Sequence, residues 1–216
     1  IKLIHIFGDE WHNRKEIVKS RLAHLLDRNI TSIGARDTEV KEISIEEVQL
    51  FLRRNHLQGY IHGKIKIGAF YNNTLLAVML FGGYRKALGY DDKEDEYELI
   101  RFAVARDYSI AGIAGKLLAY FIKTYSPKKI ISYADRRWSS ISDNFYNKLD
   151  FKFVSYTQPS YWYTNYKERF HRFGFTKAKL VREGEDSSLT ESEIMRNRGY
   201  DRIWDCGNIK YEYTAK

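Results

Sequence analysis

The chain has 216 residues, enough for one full hydrophobic core with appendages. Its 36 Lys and Arg exceed its 28 Asp and Glu by a net charge of +8, a balance that favours a polyanionic partner, nucleic acid before an anionic membrane face. A single cysteine, Cys206, excludes an internal disulfide and a cysteine-based zinc site and fits a reducing compartment, and two prolines argue against a Pro-rich linker.

No apolar run approaches the roughly 20 residues of a membrane span, so no membrane partner is expected. The histidines lack metal-ligand spacing, apart from a loose His56 and His62 pair, and no metal site is expected.

In chain order, Ile1-Lys-Leu-Ile-His-Ile-Phe7 reads as a strand. A strand needs partners, and an opening inside one suggests a piece of something longer. Gly8-Asp-Glu-Trp11 leads into a helical pattern, with Ile17, Arg21 and Leu25 on one row and Val18, Leu22 and Leu26 on the next, ending at Asp27-Arg28-Asn29. Residues 1–30 thus form an N-terminal strand–helix segment. Ile33 to Ile43 reads as a strand. Ser44-Ile-Glu-Glu47 is a capping box that opens a helix with Val48, Phe51 and Leu52 inward, ending near Asn55-His56. Lys66 to Tyr71, the turn Asn72-Asn73 and Leu75 to Arg85 form a hairpin. A charged, solvated loop spans Asp91 to Glu96.

Strand Tyr97 to Ala105 follows, then the small-residue loop Ser109-Ile-Ala-Gly-Ile-Ala-Gly115 and a helix with Ile113, Leu117, Tyr120 and Phe121 at core spacing, closed off by Pro127. By strict alternation Glu98 and Arg101 face opposite sides of the sheet. Ile130 to Asp135 is a buried strand. A short helix runs into Tyr146-Asn-Lys-Leu-Asp-Phe151, and Phe151 to Tyr156 and Ser160 to Tyr163 read as the last two strands. Residues 31–166 make one domain and 167–216 a basic, aromatic C-terminal extension packed on it.

Strand, glycine loop and helix can hold an anion, because a helix start carries unpaired N–H donors and the positive end of its dipole. The same spacing also suits a tight strand-to-helix turn with no ligand. Basic residues interleaved with aromatics suit phosphates and exposed bases: Arg136, Arg137, Lys167, Arg169, Arg172, Lys177 and Lys179, among Tyr161, Trp162, Tyr163, Tyr166 and Phe173. Inward aromatics with outward charge would give the same pattern.

Residues Ile33 to Tyr163 resemble the GNAT acyltransferase fold, through the loop Ser109 to Gly115 and the segment Tyr146-x-x-Leu-x-Phe151. The resemblance implies an α+β fold: a mixed, mostly antiparallel central sheet with flanking helices, here with the N-terminal strand–helix segment and the C-terminal extension added. It implies that acetyl-coenzyme A or a related acyl-coenzyme A binds by its pyrophosphate at Ser109, Ala111, Gly112, Ile113, Ala114 and Gly115. Two positions depart from the family pattern: Ser109-Ile-Ala-Gly112 replaces a loop opened by a basic residue, and Asp150 stands where glycine precedes the final Phe.

Together with Ser132-Tyr-Ala-Asp135, these segments are similar to the phage Mom-like group, which modifies adenine in DNA. That implies a phage-encoded protein working in the bacterial cytoplasm, with His56, Asp135 and Tyr146 as catalytic candidates. Tyr146 would protonate a leaving thiolate or be a packed core tyrosine. Asp135 would take a proton from a base amine or cap a helix. His56 would act as a base or simply end its helix. Leu3-Ile-His-Ile-Phe-Gly-Asp-Glu-Trp11 resembles the close of very-short-patch-repair-like nuclease domains. That implies a nuclease domain upstream, with Asp9 and Glu10 as remnants. Three readings follow: nucleobase modification, a silent DNA-binding domain of a homing-type endonuclease, and an ordinary small-molecule or protein N-acetyltransferase.

Overall fold

The computed structural model describes residues 3–28, 31–83, 94–142 and 144–215. Gly8–Asn13 (α1) and Lys15–Leu25 (α2) open it as helices. Ahead of them residues 3–7 have no regular structure and no ladder partner among the described residues, so the strand expected there does not form; Ile1 and Lys2 lie outside the described residues. Its side chains pack instead. Ile6 joins Ile17, Val18 and Leu57, while Phe7 lies under the guanidiniums of Arg137 and Arg169.

The single strand expected from Ile33 to Ile43 is two, Thr31–Gly34 (β1) and Glu39–Glu42 (β2), split by a 3-10 turn at Ala35–Asp37. Thr38 Oγ1 donates to Ala35 O at 2.7 Å, and the Lys116 ammonium donates to Ala35 O at 2.8 Å and also to Thr38 O. These bonds to one carbonyl pair bend the chain where local sequence shows no break. Ile45–Asn55 (α3) starts at the expected capping box, with Ser44 Oγ accepting from Glu47 N at 3.2 Å and the Glu47 carboxylate accepting from Ser44 N at 2.8 Å. Its buried face, Val48, Phe51 and Leu52, meets Val78 and Leu80.

Ile65–Tyr71 (β3) and Thr74–Gly82 (β4) form the hairpin. Asn72 and Asn73 both adopt positive φ, +47° and +62°, as a two-residue loop matching the twist of its strands requires. The end of the expected strand at Arg85 and the expected charged loop as far as Lys93 lie outside the described residues. Glu96–Val104 (β5) leads through Tyr108–Ala111 (β6), which pairs in parallel with β1, to Ile113–Tyr125 (α4). Inside α4, Phe121 stacks on Phe81 of β4 with centroids 3.7 Å apart, fixing the helix on one sheet face. Lys129–Asp135 (β7), Phe145–Lys148 (α5) and Lys152–Tyr156 (β8) complete this part.

Tyr161–Thr164 (β9), Arg169–His171 (β10), Lys177–Arg182 (α6), Glu191–Asn197 (α7) and Asp201–Trp204 (β11) form a separate unit. Its sheet runs β10-β9-β11, and its small core is Tyr163, Leu180, Ile194 and Met195. The chain then returns as Asn208–Thr214 (β12), giving a seven-stranded sheet in the order β2-β3-β4-β5-β7-β12-β8. Every neighbouring pair in it is antiparallel except β5 and β7.

Ser160 to Tyr163 is therefore not a strand of this sheet, because Tyr163 points into the smaller core. The last strand is β12, whose Ile209 and Tyr211 bury in the main core between β7 and β8. Among the described residues no helix is long and apolar enough to cross a membrane.

Candidate active site

The parallel pair β5 and β7 shares a ladder only from Glu96↔Lys129 to Leu99↔Ser132. Both strands continue beyond it, β7 being paired on its other side by β12 as far as Asp135. They therefore part at their carboxyl ends, where ligands enter open sheets at a break in strand order.

A chain of hydroxyls closes the apex of the opening. Ser132 Oγ donates its single proton to Leu99 O at 2.8 Å, so the 2.8 Å contact between Ser132 Oγ and the Tyr146 hydroxyl has the phenol as donor. Asn144 caps α5 by accepting from Asn147 N, and α5 carries Tyr146 inward. The Tyr146 ring stacks on Tyr211 at 4.7 Å and on Phe145 at 4.1 Å. Burial pushes the phenol up to about 12, and the Ser132 bond opposes this only in part. Tyr146 thus holds its proton across the neutral range.

Strict alternation fails at β5. The β4–β5 ladder slips between Leu80↔Arg101 and Phe81↔Leu99, with Ile100 as the extra residue. Glu98, opposite Gly82, and Arg101, opposite Leu80, consequently share the sheet face covered by α3, contrary to the expectation that they point apart. Glu98 is only 2% exposed. Both charges act on the Tyr146 phenol, Glu98 raising and Arg101 lowering its affinity constant.

His56 follows α3 on that face. Its Nδ1 accepts from Gln58 N at 3.1 Å, which leaves the neutral ring's proton on Nε2. Burial first, then Arg101, Arg21 and Arg14, push it down to about 3. It stands at neutral pH as an uncharged donor, and its base nitrogen is already engaged.

Asp135 ends β7. It accepts from Arg137 Nη2 at 2.8 Å and Nε at 3.0 Å, and its Oδ1 accepts from Arg137 N at 2.9 Å, capping the turn that follows. Arg137 also donates to Glu10 Oε2 at 2.9 Å. Arg169 of β10 donates to Asp9 Oδ1 at 2.8 Å and Glu10 Oε1 at 3.0 Å. Asp9 and Glu10 are thus engaged in ion pairs. They tie α1 to the end of β7 and to the separate unit. Arg137, 8% exposed, and Arg169 are correspondingly engaged by carboxylates rather than open to phosphates.

At the α4 start, Ser109, Ala111 and Gly112 are exposed, while Ile113 is buried in the core and Ala114 and Gly115 lie in the first helical turn. Gly112 sits at φ +81°, a conformation that lets its successors' N–H groups point outward without a side-chain cap. An open groove of about 710 Å³ runs past it, lined by Ala111, Gly112 and Lys116 and, opposite, by Gly34, Ala35, Arg36 and Asp37. The free N–H groups and flanking Arg36 fit a pyrophosphate. The opposite wall lay some 75 residues upstream and no local motif marked it, although Gly34-Ala-Arg36 is a short turn signal.

The other basic candidates remain on the surface. Arg136 lies 4.5 Å over Tyr156, and Arg172 over Tyr161 and Phe173 at 5.1 and 5.2 Å. Lys167, Lys177 and Lys179 are exposed.

No protein-family model matches the chain, and no curated protein matches it. Among solved structures it is similar to the ribosomal-protein-S18-alanine N-acetyltransferase from Escherichia coli, at 11% identity over 82% of this chain and 93% of that one, with a TM-score of 0.50. A GNAT family acetyltransferase from Elizabethkingia anophelis with acetyl-CoA bound (13% identity, 83% and 99% covered) scores 0.47. An IAA acetyltransferase from Bacillus cereus (16% identity, 82% and 99% covered) scores 0.45. The fold is an α+β GNAT-like fold, and at these identities the likeness is one of fold alone.

Proposed function

We propose that the chain is an acyl-coenzyme-A-dependent acyltransferase acting on an amine, with a nucleobase amine of DNA, adenine's by resemblance, as the acceptor. The observation that carries the transfer reading is the parting of β5 and β7 over a protonated Tyr146 phenol. When bound, the coenzyme supplies an acyl thioester. The N–H groups of Gly112 to Gly115 would face its pyrophosphate, and Arg36 would add charge there. Tyr146, released from Ser132, has the proton that a departing thiolate needs. Glu98 lies on the face where the acceptor would enter, and His56 offers a hydrogen bond.

DNA as the carrier of the amine is supported by the +8 charge and by the exposed Tyr166, Phe173 and Trp204. A second reading, a non-catalytic DNA-binding domain of a homing-type endonuclease, is favoured by Ser109 in place of a basic residue and by the clamping of Asp135.

Mass spectrometry of nucleosides from duplex DNA incubated with the chain and acetyl-coenzyme A tests the proposal. Acylated adenine with the parent, and none with Tyr146→Phe, is the expected result. Unmodified nucleosides from a chain that binds the coenzyme would overturn the DNA acceptor, and undiminished product from Tyr146→Phe would overturn the acid.

A further inference from the structure

Four elements converge on the turn after α3. Arg14 Nη1 donates to His56 O at 3.4 Å, and Arg101 Nε donates to Gly59 O at 3.2 Å. Gly59 takes φ +63°, and a Cβ there would come within 3.3 Å of Arg14 Nη2. Leu57 packs with Ile17 and Val18 of α2 and with Trp138, and the Arg21 guanidinium lies 4.3 Å over the Trp138 ring.

The charges in this region are not evenly matched. Arg137 and Arg169 have Asp9, Glu10 and Asp135 to themselves. Among the described residues Arg21 has neither a hydrogen-bond nor an ion-pair partner, and Arg14 has only the His56 carbonyl. The Trp138 indole Nε1 is shut from solvent and has no acceptor. Donors therefore outnumber acceptors. Leaving a recessed guanidinium without an anion is costly, and a protein that keeps one there gains when an anion arrives. The setting is desolvated enough to lower Arg21's affinity for its proton despite the Coulombic pull of Asp135.

We infer that Arg14 and Arg21, beside the His56–Gly59 turn, bind a phosphate group of the acceptor. The inference rests on the acyltransferase reading for the identity of that acceptor, since Arg101, which donates to Gly59 O, shares its face of β5 with Glu98. A phosphate fits the guanidinium forks, which offer paired donors to its oxygens. It would draw Arg21 off the indole and hold the acceptor's amine toward the opening between β5 and β7. The phosphate could belong to a nucleic-acid backbone or to a mononucleotide.

The test is a titration of the full chain with sodium phosphate at constant ionic strength, in the absence of coenzyme, followed by tryptophan fluorescence. A saturable change that vanishes in Trp138→Phe, with a midpoint raised about tenfold in Arg21→Gln, is expected, as for the loss of one charge-assisted hydrogen bond. Arg14→Gln, expected to raise the midpoint as well, keeps the test alive if Arg21→Gln does not fold. No saturable change in the parent, or one that survives Trp138→Phe with unaltered midpoints in both arginine variants, overturns the site. Competition by deoxyadenosine monophosphate identifies a terminal phosphate as the natural group; competition by an oligonucleotide alone identifies the backbone. Because coenzyme is absent, failure of acetyl-coenzyme A to bind would leave a positive result standing.

Discussion

Two polar regions lie at the carboxyl end of β7, and they are built in opposite ways. Where β7 parts from β5, the Tyr146 and Ser132 hydroxyls and the Leu99 carbonyl stand in single file, with the charges of Glu98 and Arg101 acting on the phenol without an ion pair to it. At the junction just beyond, Asp135, Arg137, Glu10, Arg169 and Asp9 form a closed chain of ion pairs in which each guanidinium meets two carboxylates. Charges that satisfy one another fix parts in place. Polar groups with a proton or lone pair in reserve can act on something else. The contrast fits a structural role for the second region and the proposed chemistry for the first.

The junction gives the largest expected effect. Glu10→Gln leaves Arg137 and Arg169 short of a charge in a buried setting, and breaking such a pair costs about 3–5 kcal/mol. Thermal unfolding should show this. A loss below about 1 kcal/mol would mean that the network adds little and that the contrast fails.

Next is Tyr146→Phe, which keeps the ring stack and removes the proposed acid. Transfer should fall by about a hundredfold with the melting temperature little changed. A steady-state assay that finds parental kcat would place the acid elsewhere.

Gly112→Ala forces a Cβ into the left-handed region at an expected cost of about 1–2 kcal/mol. It should also weaken coenzyme binding, because the α4 start must shift. Retained stability and affinity together would show that the φ of +81° is incidental.

An effect of a different kind concerns pH. His56 is held down to about 3, so its folded form takes up a proton well below the ordinary value of 6.5. The unfolded chain binds the extra proton between those values, and stability therefore falls as pH drops through that window and is fully present above 6.5. His56→Asn should flatten the fall by up to about one proton. Denaturant midpoints measured across pH 4–7 check this, and identical slopes in both proteins would mean that His56 is not buried neutral.

Signals in the sequence are legible where the physics is local. The capping box at Ser44 and Glu47, the Asn72-Asn73 turn and the core row Ile113, Leu117 and Phe121 depend on neighbours a few residues apart. The candidate Tyr146 lies at the sheet opening for the same reason, its motif and short helix being contiguous. What escaped depends on distant partners. The break between β1 and β2 is held by Lys116, some 80 residues on. The bulge at Ile100 moves Arg101 to the face of Glu98, and only the ladder with β4 sets it.

Strand β12 was not expected, because its insertion between β7 and β8 is set by pairing with residues distant in sequence. The ion pairing of Arg169 with Asp9 and Glu10, and of Arg137 with Glu10, is invisible locally because these carboxylates lie more than a hundred residues away.

Calorimetric titration of acetyl-coenzyme A into the purified chain tests the central claim most directly. Saturable binding, weakened in Gly112→Ala, is the predicted result. No binding heat from the folded parent at any temperature tried, alongside intact salt-sensitive DNA binding, would contradict it and leave the fold serving as a DNA-binding module.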